Sequence, residues 1–293
     1  MKILAPAKLN LSLDVTGKLP GGYHSLCMVM ESVEFGDDIT LTLREDGEIC
    51  LENSLDWLPS DGRNLAVKSV SVFREALRQP SLGADIRIEK RIPVGAGMGG
   101  GSTDAAAVLR ALNVLTGCPF NTEQLRALGL QIGSDVPYCV TGGSFLAKGR
   151  GEILSPLPMP PDCAVVVAKP RFSVSTAELF HRIDSRVLRI HPDTDGMLVA
   201  LSEGSLSGVA RRMFNVFEDV LPRAGDILAL KSSLLDGGAP GAVMTGTGSA
   251  VFGLFKDPSD AEAACDALKR QNCFAVVTRF LPACDVTPSA AVS

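Results

Sequence analysis

Pro93-Val94-Gly95-Ala96-Gly97-Met98-Gly99-Gly100-Gly101-Ser102-Thr103 is the stretch on which the reading of this chain turns. Five of the seven residues from Gly95 to Gly101 are glycine. Ala84–Arg91 before it alternates, with Ile86 and Ile88 on one face, as a strand does. Thr103–Thr116 after it spaces Ala106, Leu109 and Leu112 as a helix does, and Gly117 is a natural stop. A glycine run between a strand and a helix lets backbone N–H groups converge on an anion, and the helix N-terminus adds its positive end. Oligophosphate is the guest that suits it. No Lys-Ser or Lys-Thr follows the last glycine, so this is not the Walker loop. The preceding strand does not open a βαβ unit, which argues against the dinucleotide fingerprint. A tight packing turn accounts for one or two such glycines and not for five.

Outward from this stretch the chain mixes strands and helices. In the first segment Leu9, Leu11, Leu13 and Val15 alternate with Lys8, Asn10, Ser12 and Asp14, which predicts a strand with the apolar set on one side. Gly36-Asp37-Asp38 reads as a turn before a strand carrying Ile39, Leu41 and Leu43. A helix is predicted over 64–77, and Asn121 with Gln124 marks a capping box at a short helix. Ile132–Pro137 reads as a turn that opens another helix. Ser144–Ala147 and Glu152–Leu154 read as a hairpin joined by Gly149-Arg150-Gly151. Pro156, Pro158, Pro160 and Pro161 form a stiff crossing, which places a domain boundary there: 1–155 and 156–293. Beyond it come a buried strand at Cys163–Ala168, a Ser175-x-x-Glu178 capping box, helices across much of 196–236, a glycine-interrupted hairpin at Val243–Phe255, a helix at Asp260–Arg270 and a last strand at Phe274–Phe280, with a frayed tail from Thr287. Without regular βαβ alternation the class is α+β.

The 293 residues suffice for two cores. Lys and Arg number 28 against 33 Asp and Glu, a net charge of −5 that argues against a protein gripping nucleic-acid phosphates. The eight cysteines show no CxxC and no zinc-ligand spacing, which predicts buried, reduced thiols. No apolar stretch approaches the roughly 20 residues that span a bilayer, and no signal segment opens the chain. A cytoplasmic protein with no membrane partner is expected.

Several residues could carry chemistry, each with a plainer alternative. Asp135, before Val136-Pro137, is either a helix cap or a base. Lys8 and Asn10 share the polar side of the first strand, which is either an exposed edge or, for Lys8, a place to hold charge beside a phosphoryl group. Tyr23-His24, after Gly21-Gly22, is either a packed loop pair or a nucleobase contact, through stacking and hydrogen bonding. Thr245-Gly246-Thr247-Gly248-Ser249 is either a hairpin bend or a second loop closing the phosphate site from the other domain.

With these motifs in place, Pro93–Thr103 resembles the phosphate loop of the GHMP small-molecule kinases. Ala5-Pro6-Ala7-Lys8-Leu9-Asn10-Leu11, Gly22-Tyr23-His24, Gly133-Ser134-Asp135-Val136-Pro137 and Thr245–Gly248 narrow the likeness to the branch acting on a cytidine diphosphate-linked methylerythritol. The resemblance spans residues 5 to about 255. It implies a ribosomal-protein-like α+β N-terminal domain, a ferredoxin-like C-terminal domain and an active site between them. It further implies ATP and Mg2+, a small-molecule acceptor phosphorylated on its 2-hydroxyl in the non-mevalonate (MEP) route to isoprenoid precursors, and a monomer or weak homodimer. In this likeness Asp135 is the base and Lys8 its electrostatic partner. Asn10 positions substrate, and Tyr23, His24 and Phe180 clamp the cytosine, Tyr23 and Phe180 as a sandwich. Thr176, Thr247 and Gly248 join the substrate side, while Asn64 and Lys90 approach the adenosine. No carboxylate declares itself a magnesium ligand. Gly21 stands where the family commonly has Asp, and 184–212 matches no motif. A homoserine- or mevalonate-type kinase would have no base for Tyr23, His24 and Phe180 to hold; a non-catalytic nucleotide-binding regulator would need neither Lys8 nor Asp135.

Overall fold

Aliphatic alternation drives the opening of the chain into two long strands, β1 (Lys2–Lys18) and β2 (His24–Arg44), paired antiparallel across a 3-10 turn at Pro20–Gly22. The computed structural model describes residues 1–284, so the tail expected from Thr287 lies outside the described residues. β3 (Ile49–Asn53), α1 (Leu65–Leu77) and β4 (Gly83–Glu89) follow, then α2 (Gly100–Leu115), α3 (Thr122–Ile132), α4 (Val136–Thr141), β5 (Ser144–Gly149) and β6 (Ile153–Pro156). After the proline stretch come β7 (Ala164–Lys169), α5 (Thr176–Asp184), α6 (Thr194–Ser202), α7 (Leu206–Ala210) and β8 (Phe214–Asn215). α8 (Ala224–Asp236), β9 (Gly241–Met244), β10 (Val251–Phe255), α9 (Pro258–Arg270), β11 (Phe274–Thr278) and β12 (Phe280–Leu281) complete the order.

Two sheets result. The first runs β3-β4-β2-β1-β8, with β5, β6 and β12 added along β2 and β5. The second is β11-β7-β10-β9, with every pair antiparallel. Numbered within its own half that order is 4-1-3-2 with crossover helices α8 and α9, the ferredoxin-like arrangement. The architecture is α+β in two parts. Two short strands from the later half, β8 and β12, return to the first sheet. Phe274–Phe280 is therefore not one strand: β11 stays in the second sheet and β12 crosses to β2.

β1 does not keep its apolar residues on one side. Between Asn10 and Ser12 the register shifts, β1 advancing two residues while β2 advances one. The residue inserted there flips the strand's faces. Leu9 and Leu11 accordingly pack between the sheets with Val165, Val167 and Phe252, while Leu13 and Val15 join the core under α1 and α2. Both sides of β1 are covered, so Lys8 and Asn10 are buried, at 4% and 0% exposure, and form no exposed edge.

Gly36-Asp37-Asp38 is not a turn either; β2 runs through it. A Cβ at Gly36 would lie 2.2 Å from the Ala5 carbonyl oxygen, so glycine marks a close strand approach there. Buried Asp37 accepts the backbone N–H groups of Arg91 and Ile92, which anchors the chain entering the glycine run. α2 begins at Gly100, three residues earlier than its apolar spacing starts. The capping box at Asn121 forms in full; at Ser175 the side chain accepts from the Glu178 N–H. Of the eight cysteines, all free thiols, Cys139, Cys163 and Cys265 are buried, and Cys50 is exposed. No helix among the described residues is long and apolar enough to cross a membrane.

Candidate active site

A cleft of about 820 Å³ lies between the two halves of the chain. Its floor is the glycine run, and the bends of the later half close over it. Gly95, Gly97 and Gly99 take positive φ, at 65°, 74° and 71°. Gly99 caps α2, whose first N–H groups have no partner inside the helix and face the cleft. Sixteen residues of helix stand behind them, enough for a full positive end. The run is also a joint. Ser249 N–H and Ala250 N–H donate to the carbonyls of Gly95 and Ala96, and a Cβ at Gly97 would meet the Thr245 carbonyl at 2.2 Å. Backbone-to-backbone packing and positive φ thus account for part of the glycine density, and the whole run lines the cleft.

Lys8 reaches the cleft from β1. Its stem passes Gly99, its backbone N–H donates to the Met98 carbonyl at 3.1 Å, and Nζ donates to Asn10 Oδ1 at 2.7 Å. Burial lowers the Lys8 ammonium below its usual range, and the charge of Asp135 works against that. Asp135 stands at the start of α4, yet its side chain makes no cap hydrogen bond. The capping alternative fails, and the carboxylate lines the cleft instead. Asn10 itself does not line the cleft. Its carboxamide oxygen accepts from Lys8 Nζ, from the Gly246 N–H at 3.0 Å and from Thr245 Oγ1, tying Lys8 to the bend of the later half.

Beneath the loop, Lys90 Nζ bridges the carboxylates of Asp37 and Asp104. Burial pushes the Asp104 carboxyl up to about 8, with Lys90 opposing and Asp37 reinforcing. Lys90 is therefore a structural cation that also lines the cleft. Asn64 caps α1 through Ala66 N–H and also lines the cleft.

At the opposite end stand Tyr23, His24 and Phe180. His24 stacks on Phe180, with centroids 4.6 Å apart and planes at 27°, and its Nε2 pairs with Asp184 at 2.8 Å. The Tyr23 face is covered by the Arg150 guanidinium at 3.7 Å. The open sandwich of Tyr23 and Phe180 is thus not preformed: one ring carries a cation and the other a stacked imidazole. Thr176 and Thr247 hydroxyls meet at 2.9 Å across the cleft mouth.

The GHMP kinase N-terminal domain model matches residues 64–143, and the GHMP kinase C-terminal model matches 197–273. The 4-diphosphocytidyl-2-C-methyl-D-erythritol kinase of Brevibacillus brevis is 41% identical over 92% of each chain, and that of Bacillus velezensis 42% over 92% of this chain and 93% of its own. This chain belongs to the 4-diphosphocytidyl-2-C-methyl-D-erythritol kinase family. A solved 4-(cytidine 5'-diphospho)-2C-methyl-D-erythritol kinase superposes with a TM-score of 0.77 at 32% identity, covering 96% of this chain and 99% of that one. A homoserine kinase from Cytophaga hutchinsonii reaches 0.76 at 21% identity over 97% and 95%, a likeness of fold. As a GHMP kinase the chain is an ATP-dependent small-molecule kinase.

In this GHMP kinase Pro93, Val94, Ala96, Met98, Ser102 and the five glycines line the cleft with Lys8, Asp135, Tyr23, His24, Thr176, Phe180, Thr247, Gly248, Asn64 and Lys90. Thr103 does not; its hydroxyl donates to the Pro6 carbonyl at 2.6 Å, fastening α2 to β1. Arg150 and Asp104 escaped the sequence reading. Arg150 looked like the tip of a hairpin turn, and Asp104 like a polar residue early in a helix; only the fold turns them toward the cleft.

Proposed function

We propose that this cleft transfers the γ-phosphoryl group of ATP to the 2-hydroxyl of 4-diphosphocytidyl-2-C-methyl-D-erythritol, a step of the non-mevalonate route to isoprenoid precursors. One observation supports the reading: a glycine loop at a helix N-terminus, an aspartate that makes no cap bond and a buried lysine line the same cleft as Tyr23, His24 and Phe180. Asp135 accepts the hydroxyl proton as the oxygen attacks phosphorus. Lys8, held by Asn10, keeps positive charge beside the transferring group. N–H groups at the start of α2 bind the nucleotide phosphates, with Asn64 and Lys90 on the adenosine side and Tyr23, His24 and Phe180 at the cytosine.

Asp104 leaves its buried Oδ1 without a hydrogen-bond partner, and Ser102 sits on the cleft wall a half-turn earlier. Once the ion displaces the Asp104 proton, one carboxylate and one hydroxyl would fit Mg2+, an ion that takes most of its ligands from substrate phosphates and water. When bound it neutralises charge on the phosphate oxygens. The division at 155/156 gives each part its own role, the first part holding the glycine run and the second the closing bend. A reducing cytoplasm suits the eight free thiols.

The test is ADP formation measured over a panel of acceptors. The cytidylated methylerythritol should support turnover, with homoserine, mevalonate and uncytidylated methylerythritol phosphate far below it. Equal turnover on homoserine would overturn the reading.

A further inference from the structure

Four cationic side chains line the cleft, and three are engaged. Lys8 is held by Asn10, Arg63 pairs with Asp61 at 2.9 Å, and Lys90 lies between Asp37 and Asp104. Among the described residues no carboxylate lies within salt-bridge distance of Arg150. Its Nε is buried with no hydrogen-bond partner, while Nη2 donates to Ser134 Oγ at 3.2 Å. The hairpin between β5 and β6 is shaped to present it. Gly149 and Gly151 take φ of 72° and 114°, and the Glu152 carboxylate accepts the Arg150 backbone N–H, fixing the turn. A guanidinium placed in a cleft with an unmet donor and no acid is a site for an anion.

Its position says which anion. On one side the guanidinium lies over Tyr23, at the nucleobase end; on the other it reaches Ser134, next to Asp135 at the reacting end. The proposed acceptor has the same order, with cytidine, then two phosphates, then the polyol whose hydroxyl reacts. We infer that Arg150 is the side chain that grips the acceptor's diphosphate and so selects a nucleoside diphosphate-linked acceptor. The inference rests on the proposed function and deepens it. Moving onto the diphosphate would free the Tyr23 face for the base, so a single rearrangement would couple recognition of the phosphates to opening of the stacking platform.

The test compares cytidine, CMP and CDP as probes, together with a non-hydrolysable ATP analogue, by titration calorimetry on wild type, Arg150→Met and Arg150→Lys. Arg150→Met should raise the CDP dissociation constant about 10- to 100-fold, leave the ATP analogue near its wild-type value and bind cytidine no more weakly than wild type. Arg150→Lys should recover part of the CDP loss, because a point charge replaces a fork. Three results overturn the inference: equal weakening of cytidine and CDP, which makes Arg150 a prop for Tyr23; unchanged CDP binding; or equal weakening of the ATP analogue, which puts Arg150 on the nucleotide. Failure of the proposed function shows separately, as a wild-type enzyme inactive on the cytidylated acceptor. A working wild type whose Arg150→Met variant binds CDP normally counts against Arg150 alone.

Discussion

Asp135 is a helix-starting aspartate whose side chain makes no cap hydrogen bond, which leaves its carboxylate to the cleft and to the proposed role of base. Asp135→Asn should keep the fold and ATP binding and lower kcat by about 10²–10⁴-fold, the usual cost of losing a positioned base; kcat from steady-state kinetics checks it. Lys8→Ala should combine with it less than additively, since the two act on one transfer. Tyr23→Ala removes a stacking face, so the acceptor's dissociation constant should rise about 5- to 150-fold while that for ATP stays put, as read by titration. Asp104 offers a test by pH. Its folded carboxyl is raised from the ordinary 3.8 to about 8. Between those values the folded chain keeps a proton that the unfolded chain has lost, so this group's contribution to stability falls as pH rises through the window. Urea midpoints from pH 5 to 9 should decline less steeply in Asp104→Asn than in wild type; parallel curves would contradict the shift. Lys8, Asp135 and Tyr23 were legible as candidates because their types and neighbours are rare combinations. Asn10's part was not, since only the folded chain brings Gly246 and Thr245 to its carboxamide oxygen.

At the scale of elements, the glycine run divides into positions packed against backbone and positions that only line the cleft, where the proposed phosphates would lie. Gly97→Ala would drive a Cβ to within 2.2 Å of the Thr245 carbonyl at a φ of 74°, so melting temperature and ATP affinity should fall together. Gly101 has ordinary φ, lines the cleft, and its added Cβ would meet only Leu65 Cδ1 at 3.7 Å. Gly101→Ala should therefore keep stability or raise it by up to roughly 1 kcal/mol of helix preference, so that the melting temperature does not fall, while weakening ATP binding. Calorimetry and titration on the pair separate the roles. Strands and helices bounded by clean periodicity, such as α1, α3 and α9, stand close to where the sequence places them. β3 went unread because it is a half-exposed edge strand, and the first half of β2 because both its faces are covered and its pattern loses alternation. The bulges of β1 leave no mark in the alternation they interrupt, so the facing of Leu13 and Val15 could not be read.

For the whole molecule, the α+β class was legible from the order of elements, and the location of the site between two halves followed from the family resemblance. The return of β8 and β12 to the first sheet was not, because two-residue strands carry no periodicity. These crossings, with the bonds from Gly246 and Thr245 to Asn10, hold both halves around one cleft. On the proposed reading, such a cleft would bring a phosphate loop, a base and an acceptor platform to one reaction. Single-turnover ADP formation with the cytidylated methylerythritol, run on wild type and Asp135→Asn with ATP saturating in both, tests that claim most directly. The expected result is an acceptor-dependent burst in wild type, slowed at least 100-fold in the variant. Acceptor-independent ATP hydrolysis, or a variant as fast as wild type, would contradict it.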